Sequence, residues 1–341
     1  MARAPDPGKD AEGPALAYQE LTPDDVITSV ESLGFRCDGR LLALNSYENR
    51  VYQVGIDEAQ PVVAKFYRPG RWTDDAIMEE HAFAAELAEA EVPVVAPLSR
   101  DGVTLHRHGA FRFAVYPRQG GRAPELDDDA LLEQLGRFVA RLHCVGASDR
   151  FAHRPAVTVE RLGTASTEFL LDEGFIPDHL EEAYDSLARD LLDAVHGAWD
   201  STGPVPRFRL HGDFHPGNVL VRDGRVHIVD LDDACTGPAV QDLWMFLSGG
   251  RLEQEGQLSS LLAGYEEFRA FDPVELHLVE SLRTLRMMHY AAWLARRWED
   301  PAFQQAFPWF GTVRYWEDHV LSLREQLAAL GEPPLAWRGA S

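Results

Sequence analysis

His211-Gly212-Asp213-Phe214-His215-Pro216-Gly217-Asn218 is the densest polar cluster in the chain, and what surrounds it decides the fold. Apolar Val219-Leu220-Val221 follows, then the turn Asp223-Gly224, then Val226-His227-Ile228-Val229 and the acidic run Asp230-Leu231-Asp232-Asp233. Apolar runs on either side of Asp-Gly predict a β-hairpin. A hairpin brings its two ends together, so Asp213, Asn218 and Asp230 are expected to converge at one end of it. Two carboxylates and a carboxamide suit a hard, oxygen-liganded cation such as Mg²⁺. That ion takes one or two protein carboxylates and completes its shell with water and phosphate oxygens. Asp232 and Asp233 read either as contacts to a second Mg²⁺ or as a solvated acidic turn. His211 and His215, flanking Asp213, read as hydrogen-bonding partners of the loop, with transition-metal ligation as the alternative.

Phosphoryl transfer needs this kind of site. It requires neutralised phosphate charge, in-line placement and a carboxylate to hold the attacking hydroxyl, with little covalent help from the protein. A lysine from a neighbouring sheet, fixed by a helix glutamate, completes the set. Of the 32 basic residues only Lys9 and Lys65 are lysines, so a lysine retained in ordered sequence calls for a reason. Lys9 sits in a Pro/Gly/Asp-rich tail. Lys65 sits inside a strand pattern, where a compact ammonium does what a planar guanidinium cannot. Glu80 or Glu79 is the partner on the following helix. Neither lysine follows G-x-x-x-x-G, which excludes a Walker-type nucleotide site.

Upstream of the cluster the chain reads as strands. Thr22-Pro23-Asp24-Asp25 starts a helix that ends near Gly34. Leu41–Leu44, Val51–Val54 and Val62–Tyr67 read as strands, residues 73–90 as a helix, and Val95–Leu98, Val103–His106 and Phe111–Tyr116 as further strands. Together these predict an antiparallel sheet with one helix against it. Pro117-Arg118-Gln119-Gly120-Gly121 breaks the pattern as a hinge. Residues 126–145 and 176–199 then read as helices, Arg207–Leu210 as a strand before the hairpin, and the rest as helical to about residue 330. Tyr290, Trp293 and Trp298 fall near helical spacing. They read as core packing, with an aromatic cage for a quaternary amine as the rarer alternative.

Composition narrows the function. The 341 residues carry a net charge of −23, which disfavours nucleic acid and anionic lipid as partners. No apolar stretch has the length of a membrane span, and the first twenty residues lack an apolar core, so neither membrane nor signal peptide is expected. Three scattered cysteines, Cys37, Cys144 and Cys235, give no disulfide framework or zinc spacing and favour a reducing cytoplasm.

With His211-Gly212-Asp213, Asn218 and Val229-Asp230 in place, the chain resembles the protein-kinase-like superfamily, in the branch of aminoglycoside phosphotransferases and choline kinases. Further strings narrow the resemblance to a family of bacterial serine/threonine stress-response kinases. They are Ser46–Tyr52, Phe66–Pro69 with Arg71-Trp72, Gly237–Trp244, and Leu285–Tyr290 through Arg296-Arg297-Trp298. The resemblance implies an α+β, bilobal protein-kinase-like fold. Its antiparallel-sheet N-lobe would span residues 18–116, its hinge 117–122 and its mainly helical C-lobe 123–333, with tails at 1–17 and 334–341.

The resemblance also assigns roles. Lys65 contacts the α- and β-phosphates of ATP and Glu80 orients it, spacing to Val92-Pro93 favouring Glu80 over Glu79. The turn from Ser46 to Asn49 replaces a glycine-rich loop, with Ser46 and Asn49 as ATP contacts. Asp213 is the catalytic carboxylate, Asn218 and Asp230 hold Mg²⁺, and Asp242 supports the catalytic loop. Only eleven residues separate Asp230 from Asp242, too few for the activation segment of typical protein kinases. The implied function is ATP- and Mg²⁺-dependent phosphorylation of protein Ser/Thr hydroxyls by a cytoplasmic monomer. The alternative is a kinase of a cationic small alcohol, and the net charge suits a basic peptide or a cationic alcohol equally.

Overall fold

The computed structural model describes residues 21–44 and 46–337; the tail expected at 1–17 lies outside them. Two compact units emerge from the chain's internal contacts. The first runs to Ala123 and adds Phe151–Arg154 and Gly217–Asp232; the second takes Pro124–Arg150, Pro155–Pro216 and the chain from Asp233 on. This is the α+β, kinase-like architecture expected from the sequence.

In the first unit, β1 (Cys37–Ala43), β2 (Arg50–Ile56), β3 (Val62–Phe66), β4 (His106–His108) and β5 (Phe111–Pro117) form one antiparallel sheet in the order β1-β2-β3-β5-β4. Strand periodicity of two assigns the faces. Val62, Ala64 and Phe66 join Val54, Phe113 and Val115 in a core closed by Val26 and Val30 of α1 (Pro23–Glu31). Lys65 has the opposite parity. Its cross-strand neighbour Ala114 packs with Ile77 of α2 (Asp74–Glu89). The sheet is therefore covered by a helix on each side, where the sequence reading expected one. The reason lies in α1, whose Val26 and Val30 recur at the spacing of one helix turn.

Val95–Leu98 does not form the expected strand. Pro93 and Pro97 remove ladder donors, leaving a single bridge between Val94 and Ile228 and one bond from Leu98 N–H to the Val115 carbonyl at 2.7 Å. The hairpin belongs to this unit. Its strands β7 (Val219–Arg222) and β8 (Arg225–Ile228) turn through Asp223 and Gly224 with positive φ at both, the geometry of a two-residue primed turn. Val95 N–H donates to the Ile228 carbonyl, and Arg122 pairs with Val221.

The second unit is mainly helical. It holds α3 (Asp129–Gly146), α4 (Ala165–Asp172), α5 (Asp178–Thr202), α6 (Arg251–Tyr265), α7 (Val279–Ala295), α8 (Pro301–Ala306) and α9 (Val313–Leu330), with the short strands β6 (Phe208–Leu210) and β9 (Cys235–Gly237) paired antiparallel. A Cβ at Gly136 would lie 1.9 Å from the Leu261 carbonyl, and one at Gly264 would lie 1.9 Å from that of Glu133, so α3 and α6 cross at a distance only glycine permits. Leu170, Tyr184, Leu191, Met288, Phe303, Phe310 and Leu323 anchor the main core, with Trp293 and Trp298 packed on it. Leu335 is also buried, and Arg251 and Glu255 bind the backbone around it. Among the described residues no helix is long and apolar enough to cross a membrane.

Burial of His319 makes a pH prediction. It lies against Tyr184 and Trp316, and burial pushes its pKa down from 6.5 to about 4. The unfolded chain therefore binds more protons than the folded one in that window, so stability falls as pH drops through it. Between pH 6.5 and 5 His319 accounts for a loss of about 2 kcal/mol. His319→Phe is expected to flatten the urea-midpoint profile over that range by this amount.

Candidate active site

Lys65, 7% exposed, sits among three carboxylates of its own unit: Glu80 at 3.7 Å, Asp230 at 3.1 Å and Asp232 at 3.0 Å. Helix geometry selects Glu80. It lies on the buried stripe of α2 with Ile77, Ala84 and Leu87. Glu79, one residue earlier, points away and accepts the backbone N–H groups of Ala152, His153 and Arg154 at 2.6, 2.8 and 3.0 Å. Burial disfavours the Lys65 ammonium, but Asp232, Glu80 and Asp230 outweigh it and hold its pKa well above the ordinary value. Burial pushes the Glu80 carboxyl upward, with Lys65 opposing.

The hub of the cluster is Asp232, which the sequence reading left between a metal contact and a solvated turn. It is 3% exposed. Besides Lys65 it binds the Arg71 guanidinium and the Asn49 amide (3.1 Å), and its backbone carbonyl accepts from Arg154. Burial raises its pKa, but Lys65 and Arg71 prevail and hold the carboxyl well below the usual range. A solvated turn is ruled out by this burial. The signal was available in Asp230-Leu231-Asp232: around an unusual backbone, residues two apart reach one lysine. Asp230 adopts φ +63°, a conformation side chains seldom take outside turns.

Asn49 is buried as well. Its amide donates to Asp232 and its Oδ1 accepts the Arg68 N–H at 3.1 Å, so both ends of the side chain engage protein. It pins the turn before β2 to the segment after β3. Ser46, in the same turn, is half-buried. Asn218 closes the short helical turn Pro216–Asn218, and its carbonyl accepts the Val229 N–H at 3.0 Å, across from the Val219–Ile228 pair. Asn218 and Asp230 thus stand at the same end of the hairpin. Among the described residues, no three His, Cys, Asp or Glu side chains are grouped to hold a metal ion by themselves. Asp230 and Asn218 offer oxygen donors only, and the Asp230 side chain is 51% exposed. Such a pair fits a hard cation that draws its remaining ligands from water and phosphate.

Asp213 belongs to the second unit. Arg286 of α7 donates to its Oδ1 at 2.5 Å, and His215 lies 3.4 Å from its Oδ2. Burial raises the Asp213 pKa, but the His215 hydrogen bond and the Arg286 charge overcome it and hold the carboxyl well below the usual range. Arg286 was visible in the sequence only as part of a longer string; its partner was not. The loop before Asp213 hangs on Asp242, whose two oxygens accept the His211 and Gly212 N–H groups at 2.8 Å each. Burial keeps His143 neutral, so its Nε2–H donates to Asp242 at 3.2 Å and its Nδ1 accepts from the Tyr265 hydroxyl. Gly212 has φ +85°, and a Cβ there would lie 2.2 Å from the Asp233 carbonyl, so no other residue fits.

The chain belongs to the phosphotransferase enzyme family, whose model matches residues 40–278. It is an enzyme of the kinase kind. Stress response kinase A of Escherichia coli (strain K12) is 45% identical over 321 residues, 94% of this chain and 97% of that one. Serine/threonine protein kinase RdoA of Salmonella typhimurium (strain LT2) is 43% identical, over 94% of this chain and 97% of its own. Among solved structures, amicoumacin kinase hAmiN, in complex with AMP-PNP, Ca²⁺ and Ami, shares the fold with a TM-score of 0.70 at 17% identity, covering 90% of this chain and 93% of that one. A microcompartment-associated aminopropanol kinase does so at 0.67 and 20% identity, covering 89% and 98%.

Proposed function

We propose that this kinase transfers the γ-phosphoryl group of ATP, with Mg²⁺, to Ser or Thr hydroxyls of proteins. The observation that carries this reading is the Lys65 ammonium held at 3.0–3.7 Å among Asp232, Asp230 and Glu80. A buried ammonium so placed is a fixed positive charge for the α- and β-phosphates. Glu80 and Asp232 orient it. Asp230 and Asn218 would hold Mg²⁺, which supplies charge neutralisation on the phosphates when bound. Asp213, kept ionised by His215 and Arg286, positions the acceptor hydroxyl and takes its proton as the oxygen bonds to the γ-phosphorus and ADP leaves. Protein acceptors are favoured by the serine/threonine kinase name of a relative covering nearly the full chain. We assign the protein to the cytoplasm, acting as a monomer.

Incubation with γ-labelled ATP and Mg²⁺ tests the reading. Label is expected on the protein itself or on a test protein, and to vanish with a chelator. Label found only on a cationic alcohol would replace it with the small-molecule reading.

A further inference from the structure

The acceptor side carries a charge pattern opposite to that of the chain. From Leu285 to Trp298 there is no acidic residue, although the chain holds 55 Asp and Glu against 32 Lys and Arg. At 100° per residue, Arg286, His289, Tyr290, Trp293, Arg296 and Arg297 fall on one face of α7 and its C-terminal extension. Leu285, Met288, Ala291, Ala292, Leu294 and Ala295 form the buried opposite face. Of the first six, Arg286, Tyr290 and Arg296 are exposed and the others half-buried. One end of the stripe is fixed on the reacting group by the 2.5 Å bond from Arg286 to Asp213.

A second segment, carrying one arginine beside Glu160, lies along the other end. Arg296 donates to the Ala165 carbonyl at 3.1 Å, and the Ser166 hydroxyl meets His289 Nδ1 at 3.3 Å. This sets the start of α4 against the stripe. Immediately before α4 is the π-helical turn Glu160–Thr164, an irregularity frequent at functional sites, and it carries Arg161. Among the described residues neither Arg161 nor Arg296 has a carboxylate within ion-pair distance; both donate to backbone carbonyls. Burial, then Arg161 and Arg296, press the His289 pKa down to about 4, against which Asp233 acts. Complementing the helix dipole would account for Arg296 and Arg297 at the end of α7, but not for Arg286 or for Arg161 on another segment.

We infer that this stripe is the acceptor-docking face and selects protein segments with acidic residues next to the Ser or Thr that is phosphorylated. The inference rests on the protein-kinase reading and refines it. The Arg161 and Arg296 guanidinium groups, each held by one backbone carbonyl, keep donors for a carboxylate, and Tyr290 stacked on Trp293 at 5.7 Å adds flat apolar area on the same face of α7. Local charge overrides net charge here, because a docked segment feels the side chains within a Debye length, about 8 Å at physiological salt. An acidic preference runs against the basic peptide or cationic alcohol that the overall −23 suggests.

The test uses the full chain, ATP and three synthetic peptides, each with one Ser flanked by Glu/Asp, by Lys/Arg or by Ala. For the wild type, kcat/KM is expected to be at least about tenfold higher for the acidic peptide than for the basic one, with the difference shrinking as salt rises. Arg296→Glu is expected to raise KM for the acidic peptide about tenfold with little change in kcat, and Arg296→Lys to keep most of the affinity. An unaltered acidic-peptide KM in Arg296→Glu would overturn the assignment of the stripe. Equal or better use of the basic or neutral peptide by the wild type would overturn the acidic preference and leave protein phosphorylation standing. Label on a cationic alcohol and on none of the peptides would overturn both.

Discussion

Asp213→Asn is expected to lower kcat by about 10²- to 10⁴-fold while ATP affinity and the folded state stay close to wild type. The amide keeps the shape of the side chain and retains an oxygen for Arg286, whose bond to Asp213 is 2.5 Å long. What it loses is the ionised acceptor. His215 and Arg286 hold the carboxyl deprotonated far into acid, so the wild-type group is an ionised hydrogen-bond acceptor for a hydroxyl at any physiological pH. Nucleotide affinity is expected to survive because Lys65, Glu80 and Asp230 are untouched. Calorimetric titration with a non-hydrolysable ATP analogue, beside steady-state turnover, separates the two effects. A kcat within about twofold of wild type would remove Asp213 from the reaction.

Lys65→Met is expected to cost both turnover and stability. Asp232 and Glu80 are each 3% exposed, and the ammonium between them offsets their buried charge. Removing one partner of a buried ionic group costs about 3–5 kcal/mol, and Asp232 retains Arg71, so the lower end applies. Adding Glu80→Gln to Lys65→Met is expected to restore part of the loss, since the neutral amide needs no counter-charge; urea unfolding of both variants measures this coupling. Lys65→Arg preserves the charge and is expected to keep more stability. It should still lower kcat/KM by about a hundredfold, because the planar fork cannot occupy the space of an ammonium enclosed on three sides.

Legibility differed between elements for physical reasons. The Asp223-Gly224 hairpin, the start of α1 and the sheet strands β2, β3 and β5 followed from turn chemistry, caps and two-residue alternation, which are local. Val95–Leu98 reads as a strand by composition alone, yet Pro97 within it and Pro93 just before it leave it too few donors to join the sheet. The second covering helix of the sheet was missed because nothing local says which face a helix will cover. At the site, Lys65 stood out through its rarity, while Glu80 was separated from Glu79 only by its spacing to Val92-Pro93, until the buried stripe of α2 selected it. Asp232 was undervalued because an acidic run is ordinarily solvated. Here Arg71, Arg154 and Asn49, 78 to 183 residues away along the chain, bury it.

The amino-acid sequence by itself determined the chemistry present: a strand lysine, a helix glutamate, and a loop and hairpin bearing oxygen ligands in the order a phosphotransferase uses them. Residue identity and local periodicity suffice for that. Tertiary structure alone decided which carboxylates surround Lys65, that Arg286 holds Asp213, and that α7 and the turn before α4 align their arginines. Those pairings depend on long-range packing, where the burial of each charge is set by segments far away in the chain.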